Sequence, residues 1–277
     1  MSLPEQATSL CHSCPKLCRY SCPVADADQD EATTPWGKMN TMRLVDQKRL
    51  PQTRETMALA YKCLNCRASE GACEMANPVS TTLDTYRAEA FRAGLAPEAV
   101  SSYCRKFQKE SNPFQIDLGK ELAKLPSPLP KKPKVVYCPG CTEIARSPKT
   151  ITNTLELFKE LKATEIGIYD EPLQCCGYPL FAAGDRDNFA EIAEIQSHAL
   201  NRYPLIVSGA PACLYTMQSL YRSVGFPVRG KFMHVAEYLS TLPFKGKKKA
   251  RPFKQRRVGH PKNRLTCEGA ATRPPAS

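Results

Sequence analysis

Cysteine is the residue type through which this sequence is best equipped to do chemistry. Of its 277 residues 14 are cysteines, and all but two of these fall into three groups. The first group is Cys11, Cys14, Cys18 and Cys22; the second is Cys63, Cys66 and Cys73; the third is Cys138, Cys141, Cys175, Cys176 and Cys213. Thiolates at such close spacing are typical ligands of iron–sulfur clusters. All three groups are therefore candidate cofactor-binding residues, and all of them except Cys138 are candidate metal ligands.

The first group reads C-x2-C-x3-C-x3-C-P, which is one residue longer than the bacterial ferredoxin pattern. In ferredoxins with two clusters, the cysteine before the proline binds the cluster that the other run holds. Applied here, that exchange makes Cys22 the fourth ligand of a 4Fe-4S cluster held by the second group. The first three cysteines then need a ligand from the second run, where Asn77 stands before Pro78 in place of a cysteine.

The first cluster consequently lacks an obvious fourth thiolate. The neutral amide of Asn77 is a poor substitute for a thiolate, so this cluster either contains three irons (3Fe-4S), takes a ligand other than cysteine, or uses Cys104. Cys104 shares a helical face with Val100 and Phe107, a pattern that is typical of a buried core thiol. The sequence leaves these alternatives open.

Structural zinc is the main alternative to clusters for the first two groups. A structural zinc ion takes four ligands, usually in two close pairs of cysteine or histidine. Seven cysteines, with a Cys-Pro pair at the end of the first group, fit the iron–sulfur pattern better than that arrangement. Disulfides are disfavoured because dense C-x-x-C spacing in a reducing compartment indicates bound metal.

The elements that must position these cysteines differ between the two parts of the sequence. Residues 1–111 have helical periodicity between the cysteines and predict an all-helical domain that carries clusters. Residues 112–134 hold five prolines and predict a Pro-rich linker that stays extended and packs against neither side. Residues 135–243 alternate short apolar runs with helical patterns, which predicts a small parallel-sheet α/β domain. The predicted fold class is therefore α + α/β.

The cysteines of the third group follow three predicted strands. These strands are the apolar runs 135–137, 166–169 and 205–207. One or two cysteines come after each strand and before the helix that follows it. Because the ligands of open α/β sheets gather at the carboxyl ends of the strands, we expect these thiols to converge on one site.

Cys175 and Cys176 are adjacent and precede Gly177. Adjacent thiolates bind neighbouring metal atoms of one cluster more easily than they chelate a single zinc ion, so a cluster is favoured here. Two alternatives remain. One is a tetrahedral zinc site with four thiolates, and the other is a redox-active dithiol formed by Cys138 and Cys141.

The spacing of the third group resembles the CCG-domain iron–sulfur proteins. The resemblance is specific at Cys141, Cys175, Cys176, Gly177 and Cys213, and it extends from residue 11 to about residue 240. These proteins include the iron–sulfur subunits of glycolate oxidase and anaerobic glycerol-3-phosphate dehydrogenase, lactate-utilisation proteins and heterodisulfide reductase subunits. The resemblance implies a helical ferredoxin-like domain, an electron-carrying role, and a non-cubane iron–sulfur cluster in the CCG domain.

The sequence departs from this family at three points. Asn77 stands where a cysteine is expected, and the closing C-x-x-C of the family reads Ala210-Pro-Ala-Cys213. Cys138 is the candidate to replace the thiol missing at Ala210. Members of the family commonly carry two CCG halves, whereas the pattern here stops near Phe244, where a second half would begin.

The formal net charge of +12 is concentrated at the end of the sequence. Residues 244–277 contain eleven Lys or Arg against one acid, Glu268, and so carry +10 of that charge. Their composition predicts a disordered basic tail, and a frameshift is one explanation of it. Because the remaining residues are nearly balanced in charge, the sequence does not predict a nucleic-acid-binding surface on the folded part.

Nothing in the sequence predicts catalytic residues. It contains no G-x-G-x-x-G motif, no P-loop and no Ser/His/Asp arrangement. We therefore expect an electron-transfer subunit that links a flavoprotein dehydrogenase to a quinone or disulfide acceptor. One alternative makes the CCG cluster the catalyst of disulfide reduction, and another is a zinc-binding interaction protein without a redox role.

The sequence also bears on where the protein is found. It has no basic, apolar leader at its beginning and no uncharged apolar stretch that could span a bilayer. We expect a cytoplasmic protein, and this expectation is compatible with peripheral association at the inner face of the membrane.

Overall fold

The computed structural model describes residues 3–125, 133–163, 165–169 and 173–243. The chain up to Pro243 forms one compact unit. The predicted basic tail, 244–277, lies outside the described residues. The domain boundaries after residues 111, 134 and 243 stay predictions, whereas the predicted α + α/β fold class is confirmed.

The N-terminal part consists of helices joined by loops that carry cysteines. The helices are α1 (Leu3–His12), α2 (Pro23–Asp28), α3 (Pro35–Asp46), α4 (Arg54–Tyr61), α5 (Ala68–Gly71), α6 (Val79–Arg92) and α7 (Glu98–Glu110), with 3-10 helices at Leu17–Ser21 and Glu31–Thr33. Helix α3 begins after Thr34, whose side-chain oxygen accepts a hydrogen bond from the backbone N–H of Gly37. Met39, Met42 and Leu83 are fully buried in the core between α3, α4 and α6.

The segment predicted to be an extended linker contains a packed helix. Helix α8 (Leu118–Ala123) begins after Asp117, whose carboxylate accepts a hydrogen bond from the N–H of Lys120. Leu118 and Leu122 lie four residues apart on one helical face, and both are buried in the core of the α/β part. The prediction of an extended, unpacked segment is therefore wrong for residues 112–125, because a cap and an apolar face outweigh the nearby prolines. Residues 126–132 lie outside the described part.

The α/β part is built on a four-stranded parallel sheet with the strand order β2-β1-β3-β4. The strands are β1 (Val135–Tyr137), β2 (Ile166–Ile168), β3 (Leu205–Ser208) and β4 (Lys231–His234). The helices are α9 (Cys141–Arg146), α10 (Pro148–Glu160), α11 (Tyr178–Ala183), α12 (Arg186–Leu200), α13 (Pro211–Tyr215), α14 (Tyr221–Ser223) and α15 (Val235–Thr241), with a π-helical turn at Thr216–Leu220. The three predicted strands are confirmed. The sequence reading missed β4, which is a half-exposed edge strand without a continuous apolar run.

The helical and α/β parts share a packed interface. Helix α11 packs against α6 and α7, and Cys104 and Phe107 of α7 belong to the hydrophobic core of the α/β part. Gly184, at φ +90°, lies directly against the backbone carbonyl of Arg87, so that a side chain at position 184 would collide with α6. Within the part of the chain that the structure describes, no helix is long and apolar enough to cross a membrane.

Candidate metal centres

Four thiols of the third group form a connected chain at the carboxyl ends of the strands. The Sγ atoms of Cys141 and Cys175 lie 3.4 Å apart. The thiol of Cys176 shares hydrogen bonds with those of Cys175 and Cys213. The sheet thus brings together residues that are up to 72 positions apart in the sequence, between Cys141 and Cys213.

Short helices begin at or beside these cysteines. Cys141 is the first residue of α9, Cys213 lies in the first turn of α13, and Cys176 precedes α11. The backbone N–H of Tyr178 donates a hydrogen bond to the sulfur of Cys176. Gly177 makes this turn with φ +81°, where a β-carbon would come within 3.0 Å of the Phe189 ring. The CCG sequence is therefore a turn that presents two adjacent thiols.

Hydrogen bonds among the four thiols divide them into two kinds. Hydrogen bonding from Cys175 lowers the pKa of Cys141, and hydrogen bonds from Cys175 and Cys213 lower the pKa of Cys176 well below its usual value. The same hydrogen bonds, together with burial, raise the pKa values of Cys175 and Cys213. Cysteines with lowered and raised pKa values therefore alternate along this series of four sulfur atoms. Because metal ligands must be deprotonated, binding of a metal group here would release the protons of the two raised thiols.

Cys138 is placed differently from the four connected thiols. Its backbone N–H donates a hydrogen bond to the carbonyl of Val207, 2.8 Å away, and so continues the sheet. Its side chain lines a cavity of about 30 Å³ together with Cys141, Cys176 and Cys213. Burial raises the pKa of the Cys138 thiol. The structure thus brings Cys138 to the edge of the site, as a protonated and buried neighbour.

A larger cavity, which we call the first cavity, lies in the helical part. It has a volume of about 450 Å³ and is lined by Cys11, Cys14, Cys18 and Cys73. Burial, together with the charges of neighbouring cysteines, raises the pKa of Cys11 to about 12. The amide nitrogen of Asn77 lies 3.1 Å from the sulfur of Cys11 and donates a hydrogen bond to it.

The second cavity is lined by Cys22, Cys63 and Cys66, together with Lys38 and Ser69. Lys38 is only 2% exposed, and its ammonium nitrogen lies 4.0 Å from the sulfur of Cys22. Burial lowers the pKa of Lys38, whereas the charges of Cys22 and Cys63 raise it. A buried cation thus faces three thiols.

These two cavities divide the cysteines differently from the sequence prediction. Cys73 was expected to join Cys22, Cys63 and Cys66, but it lines the first cavity instead. Asn77 does lie beside the first group, as the exchange of ligands predicts, although it contacts Cys11 through its nitrogen. The metal-binding role of each cysteine stays a prediction. Cys104 is 2% exposed in the hydrophobic core, in agreement with its interpretation as a core thiol.

The donor set fits a metal or iron–sulfur cofactor. Within the described residues, no group of three His, Cys, Asp or Glu side chains converges on the position of a single metal ion. In a cluster the thiolates bind different irons and surround a volume, as the four thiols of the first cavity do.

Arg87 connects the second cysteine group to the CCG site. Its guanidinium group donates hydrogen bonds to the carbonyls of Cys63 and Ala182, the latter at 3.1 Å, and forms an ion pair with Asp84 at 3.3 Å. Ala182 belongs to α11, the helix that follows Cys176 and Gly177. A buried side chain thus spans the interval between two groups of candidate ligands.

The sequence reading missed Lys38 and Arg87, although a signal for both exists. Lys38 lies four residues from Thr34 and Met42 on α3, and Arg87 lies between Leu83 and Ala90 on the apolar face of α6. A lone cation inside an apolar helical stripe needs a buried partner of opposite charge. The sulfur of Cys22 lies beside Lys38, and the carboxylate of Asp84 pairs with Arg87.

Comparison with known protein families identifies the α/β part. Residues 135–218 match the model of the CCG family, described as a cysteine-rich domain. This family is found in iron–sulfur subunits of oxidoreductases. The match includes all five cysteines of the third group and the strands β1 to β3. Searches of curated proteins and of solved structures found no match.

Proposed function

Because residues 135–218 are a cysteine-rich CCG domain, we propose that this protein is an iron–sulfur electron-transfer subunit of an oxidoreductase. Its N-terminal cysteines hold two clusters, and the CCG site holds a third. Electrons pass between the N-terminal clusters and the CCG site. The observation that carries this proposal is the buried Arg87, which contacts both the Cys63 loop and the helix that follows Cys176.

The residues of this chain have separate tasks in that function. The clusters, once bound, supply one-electron transfer. The cysteines hold them, and the packed interface between α6 and α11 fixes the separation of the second cavity from the CCG site. Lys38 and Arg87 place positive charge beside the thiolates of the second cavity, which stabilises added electrons. Burial limits the access of water to Cys141, Cys175 and Cys176.

We infer the redox partners from the sequence, in which we identified no motif for the oxidation of a substrate. A flavoprotein dehydrogenase donates the electrons, and a quinone or a disulfide accepts them. The protein acts in the cytoplasm, in a complex that can be attached to the inner face of the membrane through the partner.

A second candidate function is disulfide reduction at the CCG site. A cavity of about 330 Å³ supports it, because its lining includes Asn65, Tyr178 and Tyr215. These are neighbours in sequence of Cys66, Cys176 and Cys213. A small disulfide bound in this cavity would lie beside elements that carry ligands of both the second cavity and the CCG site.

Anaerobic purification followed by iron and sulfide analysis tests both candidates. Iron and acid-labile sulfide, with EPR signals that change on reduction, are the expected result. Zinc without sulfide would contradict both candidates and favour a structural or interaction role. Turnover of a disulfide by the isolated, cluster-loaded protein would favour the second candidate over the first.

A further inference from the structure

The last cysteine of each N-terminal group lies in the cavity of the other group. Cys22 lines the second cavity, and Cys73 lines the first. Helix α5, which precedes Cys73, packs against the 3-10 helix Leu17–Ser21, which carries Cys18. This packing directs Cys73 to the first group. The two exchanges are reciprocal, as in two-cluster ferredoxins.

We propose that the missing thiolate belongs to the second cavity and not to the first. The first cavity holds a 4Fe-4S cluster bound by four thiolates, and the second holds a 3Fe-4S cluster bound by three. The ligands of the first are Cys11, Cys14, Cys18 and Cys73, and those of the second are Cys22, Cys63 and Cys66. The assignment rests on the proposed function, because it requires that both cavities hold clusters.

Asn77 acts as a hydrogen-bond donor to the first cluster and not as its ligand. Its amide nitrogen lies 2.8 Å from the carbonyl oxygen of Ala7, which can only accept a hydrogen bond. That contact fixes the orientation of the amide and directs the second N–H to the sulfur of Cys11. Hydrogen bonds to ligand sulfurs are among the factors that set cluster potentials. Asn77 therefore has a role that leaves the first cluster complete without it.

The second cavity offers no fourth thiolate among the described residues that line it. Ser69 is buried and lines both cavities, but a hydroxyl is protonated at neutral pH and is a poorer iron ligand than a thiolate. The ammonium group of Lys38 has no lone pair to donate. The carboxylate of Glu70 is paired with Arg67 at 2.7 Å and accepts a hydrogen bond from the N–H of Ser80. Three thiolates match a cluster of three irons.

The spectrum of the unaltered protein gives the first test. An oxidised three-iron cluster contains an odd number of electrons and gives an EPR signal, whereas an oxidised four-iron cluster contains an even number and is silent. We expect the anaerobically purified, oxidised full-length protein to give the three-iron signal. A protein with iron and sulfide at both N-terminal groups but without that signal would overturn the assignment.

Added thiols show which of the two cavities lacks a fourth thiolate. Ser80→Cys should complete the second cluster, remove the three-iron signal and add about one iron per chain, because Ser80 lines the second cavity and not the first. The matched variant Asn77→Cys adds a thiol to the first cavity, which already has four, and should leave the signal unchanged. If Asn77→Cys removes the signal and Ser80→Cys does not, the first cavity is the one that lacks a thiolate and the proposal is wrong.

Double variants test the placement of Cys73. Cys11→Ala with Cys73→Ala should lose no more iron than Cys11→Ala alone, because both ligands hold one cluster. Cys63→Ala with Cys73→Ala should lose the iron of both N-terminal clusters. The reverse pattern would return Cys73 to the second cluster and overturn the assignment, while leaving the proposed function intact.

Absence of iron and sulfide from the unaltered protein would overturn the proposed function together with the assignment. Cys104→Ala controls for loss of iron through damage to the core.

Discussion

The four cysteines of the first cavity surround an open volume, whereas those of the CCG site touch one another. The first cavity has a volume of about 450 Å³, but the second cavity has only about 20 Å³ and the cavity at the CCG site about 30 Å³. The N-terminal ligands lie on loops and short helices, while the CCG ligands follow the strands of one sheet. The sheet alone brings the CCG thiols together. The N-terminal groups depend on the exchange of one cysteine between two runs.

The two regions also differ in how they compensate negative charge. In the second cavity, buried cations face the thiols: Lys38 lies beside Cys22, and Arg87 binds the carbonyl of Cys63. At the CCG site the four thiols share protons with each other. The two kinds of site should therefore respond to different substitutions, and this difference can be tested.

Removal of the central CCG thiol should have the largest effect. Cys176 contacts both Cys175 and Cys213, so that Cys176→Ala breaks the chain of thiols in its middle. We expect loss of the CCG cluster with retention of the N-terminal iron, measured as iron and sulfide per chain. Cys138→Ala is the matched control, because Cys138 lines the cavity from the sheet side. Equal loss of iron in the two variants would contradict the separate position of Cys138.

Arg87→Ala should lower the free energy of unfolding by about 3–5 kcal/mol, because it leaves Asp84, whose side chain is only 14% exposed, without this ion pair. Two carbonyl groups on opposite sides of the interface lose their donor as well. Thermal unfolding of the cluster-loaded protein measures the effect. Arg87→Lys keeps the charge but not the forked geometry of the guanidinium group. Its unfolding temperature should therefore lie between those of the unaltered protein and Arg87→Ala. An unchanged unfolding temperature for Arg87→Ala would argue against this connection of the two regions.

Much of this site could be predicted from cysteine spacing, for a physical reason. Cluster ligands in ferredoxin-like runs are local in sequence, so that the first two groups are visible without a fold. The convergence of the third group was also predictable, because the ends of parallel strands meet at one edge. The place of Cys73 was not, because it depends on the packing of α5 against the segment around Cys18.

The remaining errors in the fold prediction have a similar origin. Prolines dominated the interpretation of residues 112–134, although Asp117, Leu118 and Leu122 supply a cap and an apolar face for α8. That face finds its partner only in the α/β core, which no local pattern reveals. Lys38 and Arg87 are stabilised by charges that come from elsewhere in the chain. Their roles required the tertiary structure.

Gly184→Ala tests the close approach of the two regions and should cost about 2 kcal/mol of stability. Gly184 has φ +90° and lies against the carbonyl of Arg87, so that alanine would be strained and would also collide with α6. Gly225→Ala is the matched control, because Gly225 has φ +93° but open space around its α-carbon. Gly225→Ala should cost only about 1 kcal/mol, from backbone strain alone. Equal unfolding temperatures for the two variants would mean that the interface accommodates the added methyl group at position 184.

Lys38→Met should lower the midpoint potential of the second cluster, because it removes the buried positive charge that stabilises the reduced form. A tenfold change in the one-electron equilibrium corresponds to about 59 mV, which is the size of shift we expect in an EPR-monitored redox titration. Lys38→Arg retains the charge and should keep the potential near that of the unaltered protein. Lys62→Met removes an exposed charge paired with Asp28, and screening by solvent should make its effect much smaller. The potential of the CCG site should not move in any of the three variants, because Lys38 does not line that site. A shift at the CCG site as large as that at the second cavity would show that both regions depend on the same cation.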